Sequence, residues 1–76
     1  MPRLDELKAG QRARVETISG TPPVVQRLME MGLIEGDELE VIRFAPLGDP
    51  MEIRLRDYLL SLRRSEAAGV GVTLLI

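Results

Sequence analysis

The sequence predicts a small, mainly β domain: an SH3-like barrel of about five short strands, with one helix inserted after the first strand. Three observations lead there. Apolar and charged residues alternate in several short runs, the period of half-buried strands. Only the stretch from about Pro22 to Met31 spaces its apolar residues as a helix does. Glycines and prolines punctuate the chain between these runs, as turns require. At 76 residues the chain reads as a single domain, 1–76, able to bury only roughly 60% of the surface its unfolded form exposes.

Taken in order, Leu4 and Leu7 flank Asp5-Glu6 in a short turn that Gly10 ends, and the leucines cover one mouth of the core. From Gln11 to Ile18 the chain alternates, with Ala13 and Val15 on one face and Arg12, Arg14 and Glu16 on the other. Ser19-Gly20 breaks this strand. Thr21 then offers a side-chain oxygen as N-cap, and Pro22 takes the first helical position, where no donor is lost. The helix sets Val24, Leu28 and Met31 on one face; Gly32 supplies a left-handed stop, and Leu33 folds back onto Leu28. Glu35-Gly36 suits a turn whose third position needs positive φ.

A strand from Asp37 to Ala45 and its return from Met51 to Arg56 are joined by the hexapeptide Ala45-Pro46-Leu47-Gly48-Asp49-Pro50. Its prolines bias Ala45 and Asp49 towards extended geometry, and Gly48 supplies the freedom the corner needs. With Val41 opposite Leu55, Leu39 and Val41 share a face with Ile53 and Met51, while Glu38 and Glu40 lie beside Arg54 and Arg56. Such cross-strand charge pairs contribute roughly 0.2 to 1 kcal/mol each, enough to help set register. Ile42 and Phe44 fall on the charged face unless a bulge turns them inward. Otherwise Phe44, Leu47 and Met51 form an apolar patch around the loop for a partner. Leu47, apolar within a polar loop, is either a plug under the loop or a contact offered outward.

Tyr58, Leu60 and Leu62 share a face from which Leu59 points away. Arg64 to Ala68 forms a helical turn that Gly69 stops, and Val70 to Ile76 is the last strand. In it, Gly71 has no side chain to clash where another strand crosses. A final strand after a helical turn completes the SH3-like order.

The absent residue types exclude much chemistry. Without cysteine there are neither disulfides nor thiolate ligands, and without histidine Ser19, Ser61 and Ser65 have no imidazole base to activate them. No Walker-type phosphate loop occurs, so no enzymatic activity and no cofactor is expected. Glu35, Asp37, Glu38 and Glu40 are split between strand faces and read as a solvated acidic edge, with no resident metal site. Met29, Met31 and Met51 read as core filler. Nine of the ten basic residues are arginine, and Arg12, Arg14, Arg54, Arg56, Arg63 and Arg64 could form a stripe for RNA on a small barrel. The net charge of −2 and the scarcity of aromatics oppose that alternative, and no nucleic-acid partner is expected. No apolar run is long enough to span a membrane and the N-terminus is too charged for a signal peptide, which reads as cytoplasmic.

Leu7-x-x-Gly10, the run Arg27-Leu28-Met29-Glu30-Met31-Gly32-Leu33-x-x-Gly36, the hexapeptide, and Leu62-Arg63-x-x-Glu66-Ala67 together resemble the FeoA family of bacterial ferrous iron transport. The resemblance covers essentially the whole chain, and the hexapeptide is its most specific part. Glu35 departs from it, since the family usually has proline before the turn glycine. The resemblance implies an SH3-like barrel with an extra helix, the family's association with transition metals, and a non-enzymatic role in modulating FeoB, a membrane transporter with a cytosolic GTP-binding domain. Docking on FeoB is expected through Phe44, Pro46, Leu47, Gly48, Asp49, Pro50 and Met51, with Tyr58 and Leu59 as secondary contacts. Asp49 either caps the turn or meets a partner arginine. Weak homo-oligomerisation is compatible with this reading. The SH3-like domains of iron-dependent repressors share the fold and give a second alternative.

Overall fold

Burying the alternating apolar residues together dictates the path of the backbone. The computed structural model describes residues 1–76. A 3-10 turn at Leu4–Glu6 leads into β1 (Arg12–Ile18), α1 (Pro22–Glu30), β2 (Glu38–Phe44), β3 (Met51–Leu55), β4 (Tyr58–Leu62), α2 (Arg64–Ala67) and β5 (Val70–Leu75). The strands pair antiparallel in the order β4-β3-β2-β1-β5, the SH3-like arrangement expected. The barrel is not closed, however: β4 and β5 are sheet edges, connected through α2 instead of by a strand ladder.

Alternate residues of each strand supply the core. Ala13 and Val15, Leu39 and Val41, Met51, Ile53 and Leu55, and Val70 and Val72 are all buried, with Leu4 and Leu7 from the first turn. Each fully buried aliphatic side chain contributes about 1.5–3 kcal/mol, which offsets the ordering entropy of so short a chain. α1 adds Leu28, with Val24 and Met31 packed at its margin. Met29 departs from the core-filler expectation: it is exposed, because it faces away from the Leu28 side of the helix.

The end of α1 follows from its glycine. Gly32 has φ +101°, its N–H donates to Met29 O at 3.0 Å, and Leu33 N–H donates to Leu28 O at 3.1 Å. These bonds satisfy carbonyls that the helix leaves unpaired, and bury Leu33 beside Leu28. The N-terminus differs from expectation, since the Thr21 side chain makes no capping bond. Pro22 and Pro23 occupy the first two helical positions and carry no N–H, so few donors are left for it to satisfy.

The β2–β3 register is displaced by two residues from the expected one. Val41 lies opposite Ile53, and Leu39 opposite Leu55. An even shift preserves the faces, which is why the core assignment survives it. Glu40 pairs with Arg54 at 3.1 Å as expected. Glu38 turns instead to Arg12 and Arg14 of β1, at 3.6 and 3.5 Å, and Arg56 to Asp37 at 2.7 Å. A bulge between Val41 and Arg43 then reverses parity, bringing Phe44 inward opposite Met51.

At the other edge Gly71 permits a close approach. A Cβ there would stand 2.5 Å from Thr17 Oγ1 and 2.7 Å from Met1 Sδ. Arg3 bridges to Gly71, and Val72 N–H donates to Pro2 O at 2.9 Å, so the N-terminal segment lies along part of β5.

Candidate partner-docking site

The hexapeptide between β2 and β3 is closed by its own backbone. Ala45 N–H donates to Pro50 O at 2.9 Å and Gly48 N–H to Ala45 O at 2.7 Å, with Gly48 at φ +88°. A proline at each side of this turn restricts the remaining freedom. The result is a fixed protrusion. Its apex is Leu47, 98% exposed, so this side chain is an outward contact and not a plug. Pro46, Asp49 and Pro50 are exposed around it, and Gly48 is half-buried.

Arg64, at the start of α2, braces the loop from below. Its main-chain N–H donates to Asp49 Oδ1 at 3.0 Å, so Asp49 occupies itself with an otherwise unpaired helix donor. The Arg64 guanidinium donates to Gly48 O at 3.4 Å and to Asp5 O at 2.9 Å. It also lies 5.2 Å from the centre of the Phe44 ring, within cation–π range. One residue thus holds the loop, the inward-turned Phe44 and the first turn together. The sequence places Arg64 at the start of a helical turn and in a basic stripe, and no local signal pairs it with a residue 15 positions earlier.

The structure divides the remaining expected contact residues. Met51 is fully buried opposite Phe44 and presents no surface, which corrects its assignment to the patch. Phe44 is half-buried. Tyr58 and Leu59 are exposed but lie at the far end of β4, because Leu62 pairs beside the loop with Met51 and Tyr58 pairs with Leu55. At roughly 3.3 Å per residue, the four steps from Met51 to Leu55 separate them from the loop by about 13 Å.

Tyr58 serves α1 instead. Its hydroxyl donates to Met31 O at 3.2 Å, while Arg56 donates to Gly32 O at 3.2 Å. Arg56 holds φ +55° in the tight turn between β3 and β4. The hydrogen bond and charge of Asp37 raise the Arg56 pKa further, which keeps it protonated at any working pH.

Ion pairing also decides what the charged residues are free to do. Of the arginines expected in a basic stripe, Arg12, Arg14, Arg54 and Arg56 each face a carboxylate of Asp37, Glu38 or Glu40. Those same carboxylates are thereby committed, and no three His, Cys, Asp or Glu residues gather as a metal-binding group. Glu66 is the one buried carboxylate: it pairs with Arg27 of α1, and its Oε1 accepts Arg63 N–H at 2.9 Å.

A five-stranded SH3-like sheet with an inserted helix and a braced, exposed apolar loop defines a small SH3-like domain. The FeoA domain family matches residues 3–74, and the chain belongs to that family. It is 40% identical over 73 residues to an Fe(2+) transport protein A/Fe(2+) transporter FeoB fusion protein of Porphyromonas gingivalis, covering 96% of this chain and 9% of that protein. The chain therefore spans about a tenth of the curated relative it matches.

Among solved structures, the FeoA protein of Chlorobium tepidum superposes with a TM-score of 0.91 at 49% identity, covering 99% of this chain and 71% of that one. The zinc complex of Stenotrophomonas maltophilia FeoA, described as a procaryotic SH3 domain protein, gives 0.81 at 28% identity over 96% and 91% of the two chains. A manganese-dependent transcriptional repressor gives 0.90 at only 17% identity over 97% and 36%, a likeness of fold alone.

Proposed function

We propose that this domain is a non-enzymatic accessory factor of ferrous iron uptake, acting at the cytoplasmic face of the membrane by docking its hexapeptide loop onto the cytosolic part of a FeoB-type transporter. The observation that carries the reading is Leu47. A large apolar side chain is held 98% exposed at the tip of a loop that Arg64 and Asp49 keep in shape. Such a preorganised anchor loses less entropy on binding than a mobile side chain would, and its apolar surface is free to be buried by a partner.

Fusion of the two proteins in one relative supports FeoB as the partner. Pro46, Gly48 and Pro50 shape the loop, Asp49 ties it to α2, and Phe44 supports it from the inside. Iron is then the cargo of the partner, and the domain needs no metal of its own for this role. Co-purification of the domain with a detergent-solubilised FeoB-type transporter, with and without guanine nucleotide, tests the proposal. Recovery of the wild-type domain and loss of the Leu47→Asp variant is the expected result; equal recovery of both rejects the loop as the docking site.

A further inference from the structure

A second apolar surface lies away from the loop. Met29 and Ile34 are 55% and 51% exposed, a large apolar area that the core does not use. With Val25 they border two adjoining recesses on the outer side of α1. One is an open shelf of about 660 Å³ that extends to Glu30; the other is a notch of about 270 Å³ that also touches Ile18 and Glu35. The notch falls below the roughly 300–1,000 Å³ of pockets that enclose small ligands, a size better suited to one apolar side chain inserted from a partner.

The charges around these recesses have a single sign. Glu30 and Glu35 are the only charged residues that line them. Neither carboxylate forms an ion pair in the chain, and Glu30 accepts only the amide of Gln26 at 3.2 Å. Arg27, on the same helix, is drawn to Glu66 instead. Glu30 is the last residue of α1, where the helix dipole is negative, and Glu35 follows in the turn that leads to β2.

An apolar recess with an unneutralised acidic rim is complementary to a segment that carries apolar anchors between lysines or arginines. We infer that the outer face of α1 is a second docking surface, and that its occupant is a cationic amphipathic segment of a partner protein. This surface is independent of the hexapeptide loop. A domain with both could hold two parts of a partner at once, gaining avidity without a new contact at either site.

The test is a titration of the isotopically labelled domain with a synthetic amphipathic peptide of leucine and lysine at helical spacing, followed by amide NMR. Shifts gathered at Val25, Met29 and Ile34 are expected, with affinity at least about tenfold lower for Met29→Lys and for the double variant Glu30→Lys/Glu35→Lys. All three positions are exposed, so the rest of the spectrum reports that each variant still folds. Leu47→Asp should bind this peptide as the wild type does, which separates the surface from the loop. Absence of binding, equal affinity for a leucine–glutamate peptide, unchanged affinity in either variant, or shifts centred on Leu47 would each overturn the inference.

Discussion

The main-chain N–H of Arg64 donates to the carboxylate of Asp49 at 3.0 Å, so a single bond joins the start of α2 to the loop that carries Leu47. The first N–H groups of a helix have no partner within it, and here the loop provides one. Shape of the loop and stability of α2 are therefore linked.

Replacing Asp49 with alanine removes that acceptor and should cost about 0.5–2 kcal/mol, the usual range for a lost helix cap. Asp49→Asn retains an oxygen and should lose much less. Urea denaturation of the two variants makes the comparison, and a loss of similar size in both would mean that the bond contributes little.

Gly32 is expected to be less replaceable than Gly36, which has the same left-handed backbone. Its φ is +101°, and a Cβ would collide with the Tyr58 hydroxyl, whereas Gly36, at φ +94°, has nothing within 4 Å. Gly36→Ala should cost roughly 1–2 kcal/mol of left-handed strain alone. Gly32→Ala should exceed it by about 1 kcal/mol or more, because the hydroxyl must also leave Met31 O. Adding Tyr58→Phe to Gly32→Ala should then cost less than Tyr58→Phe alone, which a double-mutant cycle measures directly.

Arg27→Ala would leave the Glu66 carboxylate, 6% exposed, with only the Arg63 N–H as a partner. Removing one member of a fully buried pair costs about 3–5 kcal/mol, but Arg27 is half exposed, so about 1–2 kcal/mol is expected. Glu66→Gln in the same background should recover part of it by removing the stranded charge. Thermal unfolding of the single and double variants checks the order.

The legible parts of this fold were those set by short periods. Alternation in Arg12–Ile18 and Met51–Leu55 identified strands and their buried faces, and Gly32 identified the helix stop, because each depends on neighbours a few positions apart. Ile42 and Phe44 on the charged face signal a β2 bulge as an option, yet only its actual position fixes a register that parity alone leaves free by steps of two. The bonds that shape the candidate site were illegible for a different reason. Arg64 meets Asp49 across 15 residues and Tyr58 meets Met31 across 27, distances at which no local pattern specifies a partner. Met51 shows the same limit. Alternation with Ile53 and Leu55 places it in the core while its nearness to the loop in sequence points to the surface, and its burial opposite Phe44 decides for the core.

Leu47, 98% exposed, serves docking and not the fold in this proposal. Leu47→Asp should change the melting temperature by no more than about 2–4 °C, since surface substitutions usually fall within about 0.5 kcal/mol. In a titration against a purified FeoB-type transporter, the same variant should bind at least about tenfold more weakly than the wild type, a loss of roughly 1.4 kcal/mol. Equal affinity of the two proteins, with both folded, would contradict the assignment of the loop as the docking site.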